Sequence, residues 1–209
     1  MLIHPWDAAD PDEWRGLLLG GHDFGQLIAA GRGRVVPVVV PTHFDYDGDE
    51  TVVLHLARPN PVWAAIEESP TVLLAVIADY AYVPGHWKAD EGADPRTGIP
   101  TSYYASVQLT ATATIVDDPE GKREILRRSL AHFQPEGDHA PIVAGAGWVD
   151  RRLPAIRGLR LSITEVRAKL KYGGNMPAHR RGEIAERLER RGGPHDAAAR
   201  AHLLRRLDR

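Results

Sequence analysis

The sequence predicts an α+β fold or a small β-barrel rather than a doubly wound parallel sheet. Three observations carry this. About six stretches have strand character, among them a long period-two run at 101–117. Helical patterns fall in the connections between them, and strand and helix do not alternate regularly.

Taken in chain order, "DPDEWRGLLLG" (10–20) is a short helix, with Asp10 at its cap, Pro11 in its first turn and Asp12 and Glu13 at its positive end. "DFGQLIAAG" (23–31) is strand-like, and "GRG" (31–33) turns the chain. "RVVPVVVPTHF" (34–44) is β-rich, but Pro37 and Pro41 each remove a ladder donor, which places this strand at an edge or at a bulge. Asp45–Asp49 is a turn, and "TVVLHLA" (51–57) is the next strand. "NPVWAAIEES" (60–69) is a short helix with Asn60 at the cap and Pro61 in the first position. "TVLLAVIAD" (71–79) is a continuous apolar run, as in a strand covered on both faces.

Residues 84–100 form a Gly/Pro/Asp-rich loop of 17 residues, longer than most connections. In "TSYYASVQLTATATIVD" (101–117), Tyr103, Ala105, Val107, Leu109, Ala111, Ala113 and Ile115 share one face and the Thr-rich set the other. "PEGKREILRRSLAHFQ" (119–134) is an amphipathic helix with Ile125, Leu126, Leu130 and Phe133 inward. Residues 135–155 are irregular. "IRGLRLSITEVRAKLKY" (156–172) alternates, but its apolar set changes phase between Ile163 and Val166, the mark of a bulge. Two helices, 178–191 and 195–208, close the chain around "GGP".

A chain of 209 residues with 43% hydrophobic content can bury one sizeable core. Its net charge of −2 gives no global attraction to nucleic acid or anionic membrane. The last 30 residues carry nine Arg against five acids, a local basicity that suits a solvated face or dimer arm better than a DNA reader. The absence of Cys excludes disulfides, zinc–thiolate sites, Fe–S clusters and thiol nucleophiles, and fits a cytoplasmic protein. The N-terminus lacks the regions of a signal peptide, and the apolar run at Thr71–Ala78 is far shorter than a bilayer span.

Four constellations are chemically suggestive. In "HLARPNPVW" (55–63), Arg58 precedes a helix start capped by Asn60, an arrangement for an anion, or else an ordinary capped helix with a solvated Arg. His43 and His55 lie on consecutive strands, so pairing brings them together either as ligands of a metal or planar group or as two locally bonded histidines. Tyr82, Trp87, Tyr103 and Tyr104 flank the long loop and either wall a pocket for an aromatic ligand or pack. Lys169 and Lys171 share a strand face, where like charges need an anion or water between them. Walker, G-x-G-x-x-G, H-E-x-x-H and G-x-S-x-G motifs are missing.

Together "PTHF", "HLARPNPVW", "AYVPGHW", "PTSYY" and "AKLKYGGN", in this order over about 23–188, resemble the PaiB-type FMN-binding proteins, described as negative transcriptional regulators. The H-x-A-R-x-N-P-x-W element is the specific part. The resemblance implies an FMN-binding split β-barrel with flanking helices, a homodimer with FMN near the subunit interface, a barrel domain over 1–176 and a C-terminal helical extension over 177–209. Carried over by position, the cofactor residues are Thr42, His43, His55, Arg58, Asn60, Trp63, Thr101, Tyr104, Lys169, Lys171 and Asn175. The sequence departs from the family pattern at Ser102 and Tyr103, at Pro84 and Lys88, and at Tyr172 to Gly174, all on the ring side of the implied pocket. Two other functions stay open beside the regulator: an oxidoreductase that uses bound FMN or a related deazaflavin, and a haem enzyme like the piperazate synthases, which resemble this family. In the latter reading His43 or His55 is the axial ligand.

Overall fold

The computed structural model describes residues 1–205. Seven strands hydrogen-bond in the order β2-β1-β5-β6-β7-β4-β3, an antiparallel sheet flanked by helices, so the fold class is the expected α+β split barrel. The strands are β1 (Phe24–Ala29), β2 (Val38–His43), β3 (Asp45–Tyr46), β4 (Thr51–Ala57), β5 (Thr71–Val83), β6 (Thr101–Val116) and β7 (Ile156–Lys171). The helices are α1 (Pro11–Leu19), α2 (Val62–Glu68), α3 (Pro119–Phe133), α4 (Gly147–Asp150), α5 (Ala178–Arg191) and α6 (Asp196–Arg205). Two compact units share the chain: Met1–Trp14 with Ile77–Val107 and Arg167–Arg209, and Arg15–Val76 with Gln108–Val166. The three long strands β5, β6 and β7 each run on from one unit into the other.

In the second unit β1 pairs with β2 and β5, and β4 with β3 and β7. β2 is an edge strand, as its prolines require. It begins at Val38 rather than 34, because Arg34 is drawn out to Glu68 and Val35 and Val36 face solvent. The expected turn after His43 contains the two-residue strand β3, and Asp47 closes the remaining turn by accepting from the Asp49 and Thr51 amides. α3 is capped by Asp118, whose carboxylate accepts from the Gly121 amide. Ile125 is buried as expected, and Gly158 gives it room: a Cβ there would stand 2.5 Å from Ile125 Cδ1. Phe133 is 40% exposed instead of inward, whereas Lys122 is buried, donating to the Leu153 carbonyl at 2.7 Å. Residues 135–155, expected to be irregular, contain α4 and a 3₁₀ turn at Leu153–Ala155.

In the first unit, a capping box between Asp10 and Glu13 starts α1. β5 extends to Val83, past the expected end at 79, because Asp79 takes a positive φ of 50° and shifts the buried phase from Ala78 to Ala81. Two 3₁₀ turns, Gly85–Trp87 and Pro95–Thr97, structure the long loop. In β7, Ala168 and Leu170 continue the buried set in its second phase. α5 matches its expected bounds and ends at left-handed Gly192. The end of the expected helix 195–208 lies outside the described residues. Among the described residues, no helix is long and apolar enough to cross a membrane.

Candidate functional site

The eleven residues singled out in the sequence fall into two groups, one in each unit. Thr101, Tyr104, Lys169, Lys171 and Asn175 belong to the first unit, and all but Tyr104 line one cleft of about 330 Å³. Its frame is β6 beside β7. Alternation on β7 puts Lys169 and Lys171 on one face, and the N-terminal segment covers them through a bridge between Ala8 and Lys169.

The two lysines are not equivalent. Lys169 is buried, donates to the Leu2 carbonyl at 3.0 Å and lies 3.6 Å from the Asp7 carboxylate. Lys171 donates to the Thr101 hydroxyl at 2.9 Å. Both ammonium groups stand over Tyr104, 5.8 and 5.9 Å from its ring centre. Lys88, from the long loop, joins them in the cleft. Burial, and then the charge of Lys171, hold the Lys88 ammonium below the usual lysine range. Three lysines thus face one carboxylate, and among the described residues neither Lys88 nor Lys171 has an acidic partner.

The floor of the cleft is aromatic and tight. Tyr103 is buried, and burial pushes its phenol up to about 12, so it is un-ionised at neutral pH. Gly173 has φ 70°, and a Cβ there would come within 2.6 Å of the Tyr103 hydroxyl. Gly174 is pressed against the Trp6 carbonyl. The Tyr172–Gly174 departure from the family pattern therefore lets the backbone close onto Tyr103 and Trp6. At the rim His4 stacks on Trp6, ring centres 4.7 Å apart.

Thr42, His43, His55, Arg58, Asn60 and Trp63 belong to the second unit. Thr42 is buried and its hydroxyl donates to the His43 carbonyl. The rings of His43 and His55 meet edge to face with centres 5.7 Å apart, so strand proximity does bring them together. His43 also meets Phe133 at 4.9 Å. His55 lines an apolar cavity of about 350 Å³, and its Nδ1 is buried with no hydrogen-bond partner. Burial first, and His43 second, hold its imidazole below the usual histidine range.

In the H-x-A-R-x-N-P-x-W element, Arg58, Asn60 and Trp63 have partners within the chain. The Arg58 guanidinium donates to the Pro154 carbonyl at 2.7 Å and forks onto Asp117 at 2.5 and 3.3 Å, which holds the Asp117 carboxyl below its usual range. Asn60 accepts from the Val62 amide, but the helix starts at Val62, so Pro61 and not the expected Asn60 holds the N-cap position. The Trp63 indole donates to the Ala57 carbonyl, and Arg157 lies over its ring. The element staples β4, α2 and the start of β7 together.

Sequence reasoning missed Asp7, His4 and Trp6, because only the antiparallel docking of residues 1–9 on β7 brings them to the cleft. Lys88 was visible only as a departure from a family pattern. Among the described residues no cluster of His, Cys, Asp and Glu is fit to hold a metal ion.

Residues 2–165 match the family model described as "Putative FMN-binding domain". Three solved structures share the fold. The flavocytochrome Anf3 from Azotobacter vinelandii has a TM-score of 0.60 and 22% identity, over 80% of this chain and 71% of that one. A conserved hypothetical protein from Mycobacterium tuberculosis has a TM-score of 0.57 and 14% identity, over 85% and 94%. The FAD and haem binding protein from Mycobacterium smegmatis has a TM-score of 0.53 and 20% identity, over 75% and 69%. At these identities the likeness is one of fold. A comparison with curated proteins found no match.

Proposed function

The chain belongs to this FMN-binding domain family, and from that premise we propose that it binds FMN with the cofactor's phosphate in the lysine cleft. One observation carries the reading: Lys88 and Lys171 share a cleft without an acidic partner of their own. Two ammonium groups at close quarters repel in a partly desolvated site, and a dianionic phosphate removes that repulsion. Thr101 and Asn175 supply uncharged hydrogen-bonding groups, and Lys169, already neutralised by Asp7, serves as a fixed wall. Arg58 is less suited to the phosphate than the sequence suggests, since Asp117 already occupies its fork. When bound, FMN supplies one- and two-electron redox chemistry.

Titration of the protein with FMN and with riboflavin, which lacks the phosphate, tests this. Loss of one charge-assisted bond in Lys171→Met or Lys88→Met is expected to weaken FMN about tenfold to a hundredfold. Riboflavin should bind weakly and be indifferent to both changes, and Arg205→Ala should titrate like the wild type. Equal affinity for FMN and riboflavin would sink the assignment. A deazaflavin cofactor also carries phosphate and meets the same cleft, and its absorption spectrum separates it from FMN. Haem, by contrast, would engage His43 or His55 and give a Soret band. The PaiB-type regulatory role is a finer reading that rests on the sequence resemblance. Homodimerisation is proposed on the same ground together with an apolar sheet face.

A further inference from the structure

Among the described residues Asp7 is the one carboxylate that lines the lysine cleft. Its place is fixed from both sides. Before it, the Trp6 carbonyl is pressed against Gly174. After it, Ala8 bridges to Lys169, and the Ala9 amide donates to the Ala168 carbonyl at 3.3 Å. The Asp7 amide itself donates to the His4 carbonyl at 2.9 Å, closing a 3₁₀ turn over Pro5–Asp7. The carboxylate is thereby held 3.6 Å from the Lys169 ammonium, with 3% of Asp7 and 7% of Lys169 left exposed.

A buried pair of this kind is a poor source of stability, because desolvating two charges offsets most of their attraction. What the pair does change is the charge of the cleft. Three ammonium groups face one carboxylate, so two positive charges, those of Lys88 and Lys171, stay uncompensated. A phosphate monoester is a dianion above its second pKa of about 6. The two charges therefore match. Without Asp7 the cleft would hold three uncompensated ammonium groups, and its attraction for an anion would rise with the charge of that anion. Diphosphates would then gain more than a monoester does.

We propose that Asp7 determines which phosphates the lysine cleft prefers: by neutralising Lys169 it fixes the charge of the cleft at the value a phosphate monoester balances, and it disfavours more highly charged phosphates. Asp7 acts through Lys169, so it is a positioning residue and not a catalytic one. The inference rests on the placement of the FMN phosphate in this cleft.

Fluorescence titration with riboflavin and FMN at about pH 8, and displacement of FMN by inorganic pyrophosphate, test it. Asp7→Asn removes one negative charge at nearly constant shape. The change in potential acts on each ligand in proportion to its charge. Riboflavin should therefore bind as before, FMN about tenfold tighter, and pyrophosphate, mainly a trianion, about thirtyfold tighter. Asp7→Glu keeps the charge and should return all three to wild-type values. Asp7→Asn combined with Lys169→Met again leaves two uncompensated ammonium groups and should do the same. Lys169→Gln alone leaves the Asp7 carboxylate facing the cleft, so it should weaken FMN and pyrophosphate and spare riboflavin. This variant carries the test should Asp7→Asn fail to fold. A merely structural role for Asp7 predicts the opposite pattern, with Asp7→Asn weakening FMN and riboflavin alike. Asp7→Asn protein that binds FMN no tighter than wild type overturns the proposal, as does tightening of FMN and pyrophosphate by the same factor. So does Lys169→Gln protein that binds FMN no more weakly. A wild type that binds FMN and riboflavin equally removes the phosphate assignment itself and this inference with it, so the two failures are told apart before any variant is made.

Discussion

At His55 the environment decides a protonation equilibrium. Burial is the larger cause and the neighbouring His43 the smaller, and both lower the folded pKa below the ordinary 6.5. The sign follows directly. Between the folded pKa and 6.5 the unfolded chain binds a proton that the folded protein refuses, so stability falls as pH drops below about 6.5 and recovers above it. His55→Gln, which has no titration in this range, should flatten that slope. Urea unfolding of both proteins at about pH 5.5 and about pH 7.5 measures the difference, and parallel slopes would show that His55 is not refusing the proton. His43 and His55 illustrate what spacing reveals. Two strands joined by a short turn imply that the rings can meet, and they do. The cavity beside His55 was invisible, because its walls come from α3 and from residues far along the chain. The same limit applies to Lys169 and Lys171. Alternation places them on one face, but the carboxylate that distinguishes them is Asp7, supplied by a segment with no local signal of its role.

At the scale of elements, the α5–α6 hairpin shows how few residues set a turn. Gly192 takes the left-handed conformation with φ 60° and ends α5. Asp196 then accepts from the Gly193 amide at 2.8 Å and from two nitrogens of Arg191 at 2.6 and 2.7 Å, while itself buried. Asp196→Ala removes the acceptor of two Arg191 donors and of the Gly193 amide and is expected to cost about 1–3 kcal/mol, measured by urea unfolding at pH 7. The Arg191 bond also holds the Asp196 carboxyl below its usual 3.8. Its stabilisation is therefore present above that pH and is lost as pH falls through the lower folded value, so Asp196→Ala and wild type should converge in acid. A variant as stable as wild type at pH 7 would remove the hairpin's dependence on this carboxylate. Elements with strong local signals were legible: the period-two run became β6, and α5 has the bounds that its pattern and "GG" imply. Short elements such as β3 and α4 were not, because two to four residues hold too little pattern to compete with turn chemistry. Prolines misled in one place and informed in another. Pro41 lies within β2, on the edge where its missing donor costs nothing, while the run before Pro37 is loop.

For the molecule as a whole, the question is what covers one face of the sheet. On β2, β1 and β5 the register sets Val39, Ile28 and Leu73 in one row and Pro41, Gln26 and Ala75 in the next. Five of these six are apolar, and each is half-buried or exposed; Phe24, further along the same face of β1, is 62% exposed and Val39 is 46% exposed. A contiguous apolar sheet face beside an edge strand is a surface that a monomer seldom leaves in water. Two copies meeting on it bury the same residues twice, as a twofold interface does. The expected light-scattering mass is therefore twice the chain's 23.0 kDa. Val39→Lys combined with Phe24→Lys puts charge into both rims of the face, at positions already open to solvent, so it should yield a folded protein of 23.0 kDa with an unchanged circular dichroism spectrum. A wild type that already has the single-chain mass at about micromolar concentration would leave this face to some other occupant and end the homodimer reading.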